Sequence, residues 1–69
     1  MSTGIVETFD AQRGFGWIKD DSDPDGRGVF VHFKDLEMPG FRVIYAGDAV
    51  VFERTMSPKG PRATNVRTL

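Results

Sequence analysis

No window of roughly 10–12 residues in this chain keeps apolar side chains at the three-and-four spacing of a helix. Short apolar runs recur instead, rich in β-branched and aromatic types and separated by turn chemistry. Five runs read as strands, at residues 4–10, 15–19, 29–33, 48–56 and 62–67. The tripeptide Ala11-Gln12-Arg13, followed by Gly14, makes a short hairpin connection. Residues 20–28, DDSDPDGRG, concentrate Asp, Pro, Ser and Gly and read as a solvated loop. Residues 34–47, with Pro39, Gly40 and Gly47, form a long connection with one helical turn expected near Lys34-Asp35-Leu36. SPKGP turns the chain into the last strand. Gly14 and Gly16, two residues apart beside an aromatic strand, signal tight bending or close backbone approach.

A chain of 69 residues is one domain, spanning residues 1–69. It holds no cysteine and one histidine, so no disulfide, thiolate zinc site or His-rich metal cluster can staple it. Packing alone must hold it together, at a size where only about 60% of the unfolded surface is buried. Five strands that avoid exposed edges close most simply into a small all-β barrel. The acidic run lacks the glycine and terminal glutamate of a calcium loop, so neither a metal nor a cofactor is expected.

Net charge is −1, which by itself argues against a strongly electrostatic nucleic-acid binder. The charge is segregated, however. DDSDPD holds four of the ten acids, whereas Arg54, Lys59, Arg62 and Arg67 close the chain with no acid among them. A locally positive face on a mildly acidic protein follows. The opening MSTGIVETFD carries no basic region followed by an apolar stretch, and no window approaches a membrane span of about 18 residues. A cytoplasmic protein that does not enter a membrane is expected.

RGFGWI and VFVHF, residues 13–18 and 29–33, carry the functional argument. Side chains alternate across a strand with period two. Phe15 and Trp17 therefore share one face with Phe30 and His32, if the strands are neighbours, while Ile18, Val29 and Val31 face the other way. A thin barrel has one interior, and the compact branched set suits it, whereas a Trp and several Phe would overfill it. Both nitrogens of a histidine also want partners that a dry core does not supply. The aromatic face is thus read as exposed, although aromatics in general are more often buried.

An exposed row of rings flanked by cations is a stacking surface for unpaired bases, worth about 1–3 kcal/mol per base whatever its identity. Arg13, Lys59 and Arg62 stand where they can meet phosphates, making affinity fall with salt. A duplex cannot lay its bases on such a face, so the expected ligand is single-stranded. Turn and edge cations also serve solubility alone, the simplest alternative for Lys59 and Arg62.

At these residues the sequence resembles the bacterial cold-shock proteins and the related domains of larger eukaryotic proteins. The family's Lys-Gly-Phe-Gly-Phe-Ile appears as residues 13–18, and its Val-Phe-Val-His-Phe as residues 29–33 without change. Gly4-Ile5-Val6, Lys59-Gly60-Pro61 and Ala63-Thr64-Asn65-Val66 also fall at family positions, so the resemblance spans essentially the whole chain. It implies a five-stranded antiparallel barrel of OB type. The implied activity is binding of single-stranded RNA and DNA with low sequence preference. It also implies an RNA chaperone that affects transcription termination and translation. Carried over by position, the binding side chains are Arg13, Phe15, Trp17, Phe30, His32 and Phe33, with Phe41 in the long loop and Lys59 in the last turn. Alternation alone places Phe33 inside, so the strand end must twist for it to reach a ligand.

The first strand departs from the family. Where Lys-Trp-Phe-Asn is usual, this chain has Glu7-Thr8-Phe9-Asp10, exchanging a phosphate-facing cation for an acid and a stacking ring for Thr. Trp17 in place of the usual Phe restores aromatic area one strand over, and weaker or shifted binding is expected. Those acids favour a rival reading, a protein-interaction module on the same barrel with weakened nucleic-acid binding. The intact motifs oppose it. An enzyme is not expected, since one histidine beside Asp35 in so small a barrel offers no concave pocket. A monomer is expected, with a strand-swapped dimer open through the long connection.

Overall fold

The computed structural model describes residues 1–38, 40 and 42–69. Strand β1 runs Ser2–Asp10, β2 Phe15–Asp20, β3 Val29–His32, β4 Ala49–Ser57 and β5 Gly60–Thr68, with a 3₁₀ turn at Phe33–Asp35 after β3. The five strands close into a barrel in the order β1-β2-β3-β5-β4. Among the described residues no helix is long and apolar enough to cross a membrane.

The expectation of a purely antiparallel barrel needs one correction. Four seams are antiparallel, but β3 and β5 run parallel, with Phe30 opposite Arg62. Geometry requires this. A closed ring with an odd number of strands cannot alternate direction at every seam, so at least one neighbouring pair must be parallel. That seam is short, and the parallel bridge Leu36–Val66 extends it past the turn.

Ile18, Val29 and Val31 fill the interior as alternation predicts, each fully buried. Among the described residues Phe52 is the one aromatic wholly inside, and Phe9 packs against the core from its edge. The barrel thus has room for one large ring, and the rings of β2 and β3 stay outside it.

Asp20 departs from the solvated-loop reading of residues 20–28. Period-two alternation continues past Ile18 and turns Asp20 inward at the end of β2, where it is 2% exposed. It accepts hydrogen bonds from the Ser22 amide at 2.9 Å, the Ser22 hydroxyl at 2.7 Å and Arg54 Nη1 at 3.1 Å. Burial opposes its ionisation, but the Ser22 bonds and Arg54 outweigh that and hold the carboxyl below the ordinary aspartate range. Arg54 also reaches Asp23 at 4.0 Å, tying the acidic loop to β4.

A group with a depressed folded pKa contributes stability above its unfolded value and loses it as pH falls through the folded one. The Asp20 contribution is therefore complete above about pH 4 and fades below it. Unfolding midpoints from pH 7 to pH 2.5 are expected to fall less steeply below pH 4 in Asp20→Asn than in the parent chain. Parallel curves would exclude Asp20 as a source of the acid sensitivity.

Candidate nucleic-acid interface

The β2–β3 hairpin builds the outer face. Phe15 pairs with His32 and Trp17 with Phe30, so the four side chains that alternation assigns to one face stand side by side. Phe15 and Phe30 stack with centroids 6.0 Å apart at 30°. Trp17 meets Phe15 edge-on at 5.7 Å and Phe30 at 5.8 Å, arrangements that the ring quadrupole favours. Trp17 is 39% exposed, while Phe15, Phe30 and His32 are half-buried.

Register extends the row across four strands, from Thr8 through Trp17 and Phe30 to Arg62. A second row runs from Asp10 through Phe15 to His32. Thr8 is exposed beside Trp17, so the position where the family's stacking ring is absent lies on this face.

Phe33 resolves the conflict between alternation and carry-over. Strand β3 ends at His32, and the 3₁₀ turn rotates Phe33 outward, 41% exposed, with its ring 4.6 Å from that of His32. Its ring also borders Gly14, whose φ of +78° is a left-handed value that glycine adopts without strain. The turn is held by a reciprocal cap. His32 Nδ1 accepts from the Lys34 amide at 3.2 Å, and Asp35 Oδ2 accepts from the His32 amide at 3.0 Å. With Nδ1 accepting, the neutral imidazole carries its proton on Nε2, the nitrogen left for a ligand.

The cations divide. Lys59, with Ser57, Pro58 and Arg62, closes a groove against Trp17 and Phe30. Arg13 is 74% exposed and leans on Asp10 at 3.8 Å, and it shares a second opening with Phe33 and Arg42. Arg62 grips Asp35 with Nε at 3.2 Å and Nη2 at 3.3 Å, so its guanidinium is already engaged. Asp35 thus serves Arg62 and the main chain of His32 rather than the imidazole. Of the four closing cations, Arg54 and Arg62 are paired with acids, while Lys59 and Arg67 have no ion pair among the described residues. The structure therefore brings together Phe15, Trp17, Phe30, His32, Phe33, Lys59 and Arg62, with Arg13 at the rim. The expectation for Phe41 lies outside the described residues.

Sequence reasoning missed Asp35 as the residue that positions the turn, and Arg42 beside Arg13. The signal for Asp35 was present, since a capping acid three residues after a side-chain acceptor marks the start of a helical turn. Arg42 carried none, because its place depends on how the long connection folds back.

The comparisons agree with this geometry. The model of the family described as the 'Cold-shock' DNA-binding domain matches residues 2–69. The chain is 44% identical to a probable cold shock protein A of Mycolicibacterium smegmatis over 70 residues, covering 100% of both chains. It is 36% identical to the cold shock-like protein CspA of Bordetella pertussis over 69 residues, again covering 100% of both. A cold shock-like protein of Aquifex aeolicus is 43% identical over 96% of this chain and 91% of its own. A solved structure of Drosophila Unr CSD456 superposes with a TM-score of 0.76 at 20% identity. It covers 99% of this chain and 26% of that one, a similarity of fold.

Proposed function

The chain belongs to the cold-shock domain family, an OB-type barrel, and on that footing we propose that it binds single-stranded RNA and DNA through the outer face of β2 and β3. The observation that carries this reading is the continuous set of mutually contacting, partly exposed rings on a barrel whose interior admits one aromatic. Bases stack on Phe15, Trp17 and Phe30, and His32 offers Nε2–H to a base edge or phosphate. Phe33 extends the stack past the strand end, with Phe41 as a further contact. Lys59 and Arg13 meet phosphates. Arg62, bound to Asp35, contributes mainly by shaping the groove. Stacking tolerates any base, so sequence preference is low, and holding bases unpaired is the physical basis of an RNA chaperone acting in transcription and translation. The protein acts in the cytoplasm as a monomer, a reading supported by a ring in which each strand has a neighbour on both sides.

Titration with short single-stranded oligonucleotides at low salt tests this. Trp17 fluorescence is expected to change, and amide shifts in NMR spectra are expected to cluster on residues 15–17 and 30–33. Affinity is expected to fall with salt, at a slope of about 0.7 per phosphate contacted, with Lys59 and Arg13 as the contacting cations. Shifts elsewhere, or none, would favour the protein-interaction module.

A further inference from the structure

Glu7 is the extra residue of a β-bulge. Val6 pairs with Ile18 and Thr8 with Trp17, so β1 spends one more residue than β2 over the same stretch. Val6 points into the core, Glu7 and Thr8 are both exposed, and Phe9 returns to the barrel. Strict alternation would have turned Thr8 inward. The bulge instead sets two consecutive polar side chains on the aromatic face.

The Glu7 carboxylate stands near the indole edge, across the bare Gly28. Glu7 Oε2 and Trp17 Cδ1 lie 3.4 Å and 3.2 Å from the point where a side chain on Gly28 would begin. The bare Gly28 leaves a notch that the carboxylate and the indole edge share. Gly28 and Trp17 also border an opening lined by Arg27, Phe30 and Lys59. Among the described residues Glu7 makes no ion pair and no side-chain hydrogen bond.

We propose that Glu7 discriminates between bases stacked on Trp17, favouring those that carry an exocyclic amino group. The inference rests on the nucleic-acid reading above. A carboxylate only accepts hydrogen bonds, and its matching base partner is the amino group of cytosine. Cytosine donates from N4 to Glu7, whereas uracil presents the O4 carbonyl at the same place and is repelled. The negative charge also repels phosphates, but that effect is the same for every sequence. The ratio between two homopolymers of equal length isolates the specific part.

The test measures anisotropy of labelled dC7 and dU7, pyrimidines of similar stacking area, at pH 7.5 and low salt. The parent chain is expected to bind dC7 more tightly by roughly fivefold or more. Glu7→Gln, whose amide both donates and accepts, is expected to strengthen binding to both and bring the ratio close to one. A Phe15→Ala control is expected to weaken both equally. Equal affinity for dC7 and dU7 in the parent chain, or a ratio unchanged in Glu7→Gln, would overturn the assignment. Absence of binding to either oligonucleotide would overturn the functional reading itself, and the assignment with it.

Discussion

Truncating Phe30 to alanine is expected to weaken binding of a single-stranded heptamer by roughly five- to a hundredfold, the span of one lost stacking contact. Phe30 is the ring for which the largest effect is expected because it stands mid-row between Trp17 and Arg62, in contact with Phe15 at 6.0 Å and Trp17 at 5.8 Å. Its removal deletes a base contact and also frees the Trp17 indole, which Phe30 holds edge-on. It further opens the wall of the groove shared with Lys59 and Arg62. The ring is only half-buried and lies outside the sealed core, so the variant should fold. Titration by fluorescence anisotropy, alongside a thermal melt, separates the two effects. An affinity within twofold of the parent chain, with the fold intact, would remove this face as the contact surface.

Gly16→Ala is expected to be the most damaging single methyl in the chain. Gly16 pairs with Phe9 across the β1–β2 seam, and a Cβ there would meet the Thr8 carbonyl oxygen, with the Phe9 Cα at 2.6 Å. These are backbone atoms, so no rotamer change relieves the overlap and the two strands must part. A cost of about 3 kcal/mol or more is expected, in the range of severe overpacking. In a domain of this size that lowers the melting temperature by more than about 10 °C. Circular dichroism melts read this directly, and a midpoint within a few degrees of the parent chain would contradict the close approach. Gly47→Ala provides the comparison. Its Cβ would meet nothing within 4 Å, and only the strain of a φ of +96° is incurred, about 1 kcal/mol.

The two predictions concern paired strands, since Phe30 on β3 stands opposite Trp17, the residue after Gly16 on β2. Phe15, Trp17 and the glycine between them place rings outward and leave backbone inward, so the strand that presents the platform is also the one pressed closest to β1. Substitutions in RGFGWI therefore divide sharply by parity, with odd positions affecting binding and even ones folding.

Much of this was legible in the residues. The strand boundaries of β2 and β3 were marked by turn chemistry, and the opposed faces of Trp17 and Ile18 followed from the two-residue period of a regular strand. The turn near Lys34-Asp35-Leu36 was signalled by composition and stands at Phe33–Asp35. Other features had no local signal. Arg62 looked like a free phosphate contact until the parallel seam brought it beside Asp35. Asp20 looked solvated in an acidic run until Arg54, 34 positions away, was found paired with it.

By itself the sequence determined which residues alternate, where the chain turns and which rings share a face, because these depend on neighbours two or three positions apart. The tertiary structure alone decided the bulge at Glu7, the parallel closure of β3 on β5 and the pairings of Arg54 and Arg62. Each of those is a relation between strands. A bulge exists only against a partner with one residue fewer, and a ring of five must break its alternation somewhere. Long-range ion pairs wait on register that no short stretch of chain encodes.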